Sequence, residues 1–173
     1  MALAKNGDEK AFEEIVKRYK ERIGRIIFGM LGNTQDAEDI GQEVFIRFYY
    51  SMDNFRGDSE LGTYLTRIAI NLSINELRKR KRKIFNFSNN YLEKQNIINE
   101  PIFPKKIEIN EMIEKSIASL NPKLRVVVVL RFLNSLSIKE IAAALKLPKG
   151  TVQSRLFRAQ EKLLKVIKPI LEK

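Results

Sequence analysis

The 173-residue chain carries 32 Lys and Arg against 21 Asp and Glu, a formal net charge of +11, and contains neither His nor Cys. Disulfides, thiolate nucleophiles, imidazole bases and Cys/His zinc sites are therefore excluded, and any catalysis would depend on carboxylates, Lys, Ser, Thr or Tyr. Hydrophobic residues make up 44% of the chain, which is enough to form a folded core.

The first half of the chain predicts a bundle of three or four helices, because apolar residues recur there at helical spacing. The periodic stretches cover residues 8–31, about 34–50, and 61–83. The polar segment 51–60 between the last two is predicted to be a loop. Residues 84–108 are rich in Asn, contain two Pro and lack a sustained period, so they are predicted to be an interdomain linker.

The second half predicts a helix-turn-helix. Asn121-Pro122 is a cap followed by a first-position proline, and it is expected to open a helix that runs to Phe132. Residues 137–140 (SIKE) form a capping box, and Leu147-Pro148 separates this short helix from a basic helix that starts near Lys149. A basic second helix favours DNA binding over a purely structural hairpin.

The outward face of the basic helix carries Gln153, Ser154, Phe157 and Arg158, opposite its apolar stripe. Phe157 has two interpretations of equal weight, contact with a thymine methyl or packing on the preceding helix or the linker. Arg155 lies nearer the apolar stripe, so a phosphate contact and an ion pair with Glu140 or Glu161 both remain open.

A polar stripe on the 61–83 helix predicts a second nucleic-acid surface. Its members lie within about 80° of one another at 100° per residue, and they are Arg67, Asn71, Asn75, Arg78 and Arg82. The same helix ends in the run 76–83, which has six basic residues and one acidic residue. Six Phe and Tyr residues lie between positions 45 and 64, a surplus that suits stacking on unpaired bases. The alternative is an ordinary solvated face.

Several motifs together resemble a known family. The segments DAEDIGQEVF (36–45), FRGD (55–58) and YLTRIAINL (64–72) resemble region 2 of bacterial extracytoplasmic-function (ECF) sigma factors. The segments LSIKEIA (136–142) and PKGTVQSRLFRA (148–159) resemble their region 4. The resemblance implies an all-α protein with two small helical domains, region 2 in residues 1–83 and region 4 in residues 109–173, joined by a flexible linker, 84–108.

The resemblance also implies a function and the residues that carry it. Such a protein binds core RNA polymerase, through the β′ clamp helices and the β flap, and directs promoter-specific initiation without being an enzyme or needing a cofactor or metal. Carried over by position, the polymerase-facing residues are Asp36, Asp39, Gln42 and Glu43. Those for capture of the −10 element are Phe55, Arg56, Tyr64, Arg67, Asn71 and Asn75, with Arg78, Arg80 and Arg82 on the upstream backbone. Those for the −35 element are Lys149, Thr151, Gln153, Ser154, Arg155, Phe157 and Arg158.

The chain departs from the family pattern at three positions. Tyr64 stands where Trp is common, which preserves stacking, and Gln153 replaces a frequent basic residue, which predicts a changed base preference. Gly41 stands where an apolar residue is usual and is expected to loosen its helix locally.

Promoter DNA and an anti-sigma factor are the further partners that the resemblance implies. The N-terminal segment is acidic where a signal peptide needs an apolar stretch, and no apolar run reaches about 18 residues. We therefore expect a cytoplasmic, nucleoid-associated protein without membrane insertion. The alternative function is a free-standing helix-turn-helix regulator that binds duplex DNA without polymerase, but it leaves the acidic helix and the aromatic cluster unexplained.

Overall fold

The computed structural model describes residues 1–55, 57, 59–90 and 109–171. Within these ranges the chain is helical and forms no strand, which confirms the all-α class. The helices are α1 (Ala2–Lys5), α2 (Glu9–Leu31), α3 (Gln35–Ser51), α4 (Leu61–Asn90), α5 (Ile109–Ser119), α6 (Pro122–Val128), α7 (Ile138–Leu145) and α8 (Lys149–Leu171). None of these helices combines the length and the apolarity that a membrane crossing requires.

Local capping signals set where the N-terminal helices begin. The Asp8 carboxylate accepts a hydrogen bond from the Ala11 N–H at 3.0 Å, and the Thr34 hydroxyl accepts one from the Ala37 N–H at 3.3 Å. Helix α3 continues unbroken through Gly41. Helix α4 continues to Asn90, seven residues beyond its predicted end at position 83, and residues 91–108 of the predicted linker lie outside the described residues.

The core of the N-terminal body lies between α2, α3 and α4. Ile26, Ile27, Phe48 and Leu65 contribute side chains that are completely buried there. Each such side chain stabilises the fold by about 1.5–3 kcal/mol relative to its exposed state. This three-helix core fixes the positions of α3 and α4, and the outer faces of these two helices carry candidate site residues.

The C-terminal body contains two features that the sequence did not predict. Helix α5 precedes Asn121, and a π-helical turn, Val129–Leu133, follows α6 where an α-helix to Phe132 was expected. The wider turn buries both Val129 and Leu130 completely. The Asn134 side-chain N–H donates to the Val129 carbonyl at 3.1 Å, which satisfies an acceptor that the irregular turn leaves open.

Helices α7 and α8 form the predicted helix-turn-helix. Ser137 and Glu140 make the complete capping box at the start of α7, and Lys146, in the left-handed conformation, ends that helix. Val152, Leu156 and Ala159 form the buried stripe of α8. The opposite side of α8 is therefore directed to solvent, as a recognition helix requires.

The two bodies pack against each other and share one hydrophobic cluster. Helix α2 meets the π-helical turn, and α4 meets α7. The bodies lie close together at Gly29, where an added Cβ would lie 2.8 Å from Leu133 Cδ1 and 2.9 Å from both methyl carbons of Val129. A larger residue at this position would require the Val129 and Leu133 side chains to shift.

Candidate protein and nucleic-acid interfaces

The acidic face of α3 is only partly compensated by nearby cations. Asp36 accepts a hydrogen bond from Arg80 at 3.0 Å, and Glu43 accepts one from Arg47 at 2.7 Å. Asp39 is exposed and accepts a hydrogen bond from the Gln35 amide at 3.3 Å. Gln42 is also exposed. Asp39 is therefore the carboxylate on this face with the least internal neutralisation.

A cavity of about 450 Å³ lies between α3 and α4. Helix α4 contributes the predicted residues Tyr64, Asn71 and Asn75 to its lining, whereas helix α3 contributes Arg47 and Tyr50. The sequence did not single out those two α3 residues as site residues. Their i, i+3 spacing beside the aromatic cluster is the signal that could have identified them.

The aromatic cluster divides into a packed part and an exposed part. The Tyr64 hydroxyl donates to Ser51 Oγ at 3.0 Å, and its ring lies edge-on to Phe48 at 6.2 Å and to Phe55 at 5.2 Å. Phe48 is core, whereas Tyr50 is 80% exposed at the rim of the cavity. Tyr50 is thus the aromatic ring of this cavity most open to an incoming base.

The predicted cations of α4 have different surroundings. Arg78 and Arg82 are exposed. Arg80 instead donates to the Leu31 carbonyl, the Thr34 hydroxyl and the Asp36 carboxylate, each at 3.0 Å, and so ties α4 to the junction between α2 and α3. Arg67 donates from Nη2 to the Ala143 carbonyl at 2.9 Å and from Nε to the Ala144 carbonyl at 3.3 Å, in the other body. Arg56, also predicted, lies outside the described residues.

Most of the residues predicted to read the −35 element lie at the surface of α8. Lys149, Gln153, Ser154, Phe157 and Arg158 are exposed, and Thr151 and Arg155 are half-buried. Phe157 is 63% exposed and is not part of the hydrophobic cluster formed by the described residues, which leaves its ring available to a partner.

The structure does not support the alternative role of Arg155, an ion pair with Glu140 or Glu161. Among the described residues Arg155 forms no ion pair with Glu140 or Glu161. Glu140 accepts hydrogen bonds from the Ser137 hydroxyl at 2.6 Å and from the Ser137 N–H at 2.8 Å, and these two bonds lower the pKa of its carboxyl group. The Arg155 guanidinium remains at the surface for an anion.

A second cavity, of about 670 Å³, lies between the two bodies. Arg67, Asn71 and Arg78 of α4 line one side, and Arg155 of α8 lines the other. Lys123 and Lys146 also line it, and none of the described lining residues is acidic. Residues predicted for two different DNA elements therefore share one strongly positive cavity.

Comparisons with known proteins agree with this arrangement. The family model for Sigma-70 region 2 matches residues 15–83, and the model for Sigma-70 region 4 matches residues 110–163. The chain is 35% identical to the ECF RNA polymerase sigma factor SigW of Bacillus subtilis, with 96% of this chain and 94% of that protein covered. It is 34% identical to the ECF RNA polymerase sigma-E factor of Escherichia coli, with 96% and 92% covered.

The fold agrees as well. The sigma factor RpoE of Bartonella quintana, solved in complex with the anti-sigma factor NepR, superposes with a TM-score of 0.72 at 21% identity, and 92% of this chain and 98% of that chain are covered. A free-standing helix-turn-helix regulator does not account for a match to region 2. The presence of both regions in order, over nearly the whole chain, shows that this protein belongs to the ECF sigma factors, non-enzymatic proteins that associate with RNA polymerase and direct promoter-specific initiation of transcription.

Proposed function

We propose that three surfaces of this sigma factor bind three different partners or promoter elements. The exposed face of α3, with Asp36, Asp39, Gln42 and Glu43, docks on the β′ clamp helices of core polymerase. The cavity between α3 and α4 holds the −10 element as a single strand, and α8 reads the −35 element as duplex while region 4 contacts the β flap. In this proposal region 2 occupies residues 1–83 and region 4 residues 109–173; the two family models match residues 15–83 and 110–163 within these ranges.

The observation that carries this proposal is the composition of the cavity between α3 and α4. It combines an exposed aromatic ring, Tyr50, with the amides of Asn71 and Asn75 and the guanidinium of Arg47. Every base presents a π face that can stack on an aromatic ring, and amides can form paired hydrogen bonds with a base edge. A cation beside them suits the phosphate of the same nucleotide. These are the requirements for holding an unpaired base.

The duplex-reading part of the proposal rests on α8. It carries exposed groups that can read bases, Gln153 and Phe157, and groups that can neutralise phosphates, the half-buried Arg155 and the exposed Arg158. We expect Gln153→Ala to change the preferred −35 base, at a cost of about 1–3 kcal/mol on the best site. Arg158→Ala should weaken binding to all duplexes alike and lower the slope of log affinity against log salt concentration by about one. A sequence-uniform loss for Gln153→Ala as well would contradict base reading.

Strand capture is tested with holoenzyme assembled from the full chain and bacterial core polymerase. Run-off transcription from a random promoter library first supplies a promoter, and its non-template −10 strand then serves as the probe. Tyr50→Ala and Asn71→Ala should each weaken probe binding by about 5- to 150-fold, which corresponds to about 1–3 kcal/mol. Ile46→Ala is the matched control, because Ile46 is half-exposed on the same helix but does not line the cavity. Equal binding by all three variants would place capture elsewhere.

An anti-sigma factor is the proposed regulatory partner. The support is that the structural neighbour from Bartonella quintana was solved with its own anti-sigma factor and shares this fold over both bodies. When bound to promoters, the protein is expected at the nucleoid.

A further inference from the structure

The last residue of α1 is a lysine that binds the loop after α3. The Lys5 ammonium donates to the Phe55 carbonyl at 2.7 Å and to the Asp53 carbonyl at 3.3 Å. Because an ammonium group has three donors, one lysine can hold two carbonyls at once. Lys5 thus connects the first helix to the segment between α3 and α4, across 48 and 50 residues of sequence.

The backbone of Lys5 is itself anchored. The neighbouring Ala4 is 2% exposed and belongs to the hydrophobic cluster. The Asp8 N–H donates to the Leu3 carbonyl at 3.1 Å, which closes the turn between α1 and α2. Gly7 makes that turn with a φ of +85°, a conformation that glycine adopts without steric cost. Lys5 therefore extends toward the loop from a fixed position.

The loop, residues 52–60, has few other hydrogen bonds to hold it. The Asn54 and Phe55 N–H groups each donate at 3.1 Å to the carbonyl three residues earlier, so these bonds stay within the turn itself. Among the described residues, Lys5 is the only one remote in the sequence that hydrogen-bonds to this loop. Loss of the ammonium group would therefore leave the two loop carbonyls without a protein donor in the described part of the chain.

The loop lies next to the cavity between α3 and α4. Ser51, which precedes the loop, and Tyr64, which follows it, both line that cavity, and the Tyr64 hydroxyl donates to Ser51 Oγ at 3.0 Å. The ring of the half-buried Phe55 lies edge-on to the Tyr64 ring at 5.2 Å. A shift of the Phe55 backbone would therefore move a ring that packs against the wall of the proposed −10 cavity.

We propose that Lys5 is a positioning residue for −10 capture, which holds the 52–60 loop in the conformation that presents Phe55 to the captured strand. This inference rests on the proposed function, because it assumes that the −10 strand enters the cavity between α3 and α4. Lys5 acts through the loop carbonyls and does not touch the DNA. A loop that keeps its binding conformation in about one tenth of the molecules lowers the apparent affinity about tenfold, and this is the effect expected when the ammonium is removed.

Three variants test this role. Lys5→Met removes the ammonium group and keeps an unbranched side chain. Lys5→Arg keeps a cation with several N–H donors, so it should retain the function. Lys10→Met is the matched control, because it makes the same substitution at an exposed lysine in the first turn of α2.

Loop order and strand capture are measured on the full chain. Amide hydrogen exchange followed by mass spectrometry reports opening of residues 52–60 in the free protein. Lys5→Met should speed exchange there about tenfold and leave exchange in α4 unchanged. With holoenzyme, it should weaken binding of the −10 single strand defined above about tenfold, without changing the slope of log affinity against log salt concentration. Lys5→Arg and Lys10→Met should behave like the unsubstituted protein in both measurements.

A series of probes that each lack one base separates positioning of the loop from general destabilisation. Phe55→Ala identifies the base that the loop holds, because its effect should vanish on the probe that lacks this base. Lys5→Met should lose its effect on the same probe, since fixing the loop gives no advantage when there is no base for it to hold.

Other outcomes overturn the inference. A salt slope lowered by about one in Lys5→Met would indicate a direct phosphate contact. Unchanged loop exchange, normal probe binding despite faster exchange, or equal weakening on every probe of the series would also contradict positioning by Lys5. Failure of the unsubstituted holoenzyme to bind the probe, or normal binding by Tyr50→Ala and Asn71→Ala, would instead overturn the proposed function, and the role of Lys5 with it.

Discussion

Replacing Arg80 with Met should destabilise the fold, whereas the same change at Arg78 should weaken DNA binding. Both residues belong to the basic run of α4, and position alone does not distinguish them. In the structure Arg80 reaches the Leu31 carbonyl, the Thr34 hydroxyl and the Asp36 carboxylate, and its exposed side-chain fraction is 28%. Arg78 is exposed.

The expected size of the effect follows from the partners that Arg80 would lose. A hydrogen bond to a neutral acceptor such as the Leu31 carbonyl or the Thr34 hydroxyl contributes about 1 kcal/mol. The ion pair with Asp36, whose side chain is 56% exposed, contributes about 0.5 kcal/mol after screening by solvent. The less exposed pair with Glu76 contributes about as much, because the Glu76 carboxylate keeps Lys79 as a second partner. Arg80→Met should therefore lower the free energy of unfolding by about 2–3 kcal/mol. Arg78→Met should change it by less than about 0.5 kcal/mol.

The assay is urea denaturation followed by far-ultraviolet circular dichroism, since the chain has no Trp to serve as a fluorescent probe. Promoter affinity of the holoenzyme is measured in parallel at several salt concentrations. Arg78→Met should lower the slope of log affinity against log salt concentration by about one. Arg80→Met, measured under conditions in which it remains folded, should keep the slope of the unsubstituted protein. Equal stability of the two variants, together with an equal loss of salt dependence, would refute a structural role for Arg80.

Two further predictions concern other surfaces. Asp39→Lys should strongly reduce affinity for core polymerase while changing the free energy of unfolding by less than about 0.5 kcal/mol. The same charge reversal at Glu21, which is exposed on α2, should leave polymerase affinity unchanged. Equal affinities of the two variants in a pull-down would show that α3 is not part of the interface. Ser137→Ala should cost about 1 kcal/mol at neutral pH. Ser137 lowers the pKa of Glu140, so part of this stabilisation is present above the unfolded pKa of the carboxyl and is lost as the pH falls through the lower folded pKa. The difference in stability between Ser137→Ala and the unsubstituted protein should therefore become smaller in acid. A difference that does not change with pH would contradict this prediction.

Local features of the chain were predictable because their causes lie within a few residues. The Asp8 and Ser137 caps act on N–H groups three residues ahead, and the periodicity of apolar residues depends only on the helical repeat. The start of α8 after Leu147-Pro148 has the same local origin. The helix-turn-helix and the acidic and basic faces were therefore available from the sequence alone.

The sequence predicted less where competing conformations differ little in local preference. The π-helical turn after α6 follows a run of valines whose helix propensity is modest, so burial of Val129 and Leu130 in the tertiary core decided its geometry. The exposure of Tyr50 and the burial of Phe48, two residues apart on α3, likewise depended on where α2 and α4 pack.

Only the tertiary structure decided which partners the long polar side chains reach. Arg80 and Asp36 are 44 residues apart, and Arg67 and Ala143 are 76 apart. A guanidinium on a helical face has the same local pattern whether its acceptor is solvent, a phosphate or a distant carbonyl. Its role is determined by the packing of whole helices, which places some acceptors about 3 Å away and leaves others out of reach.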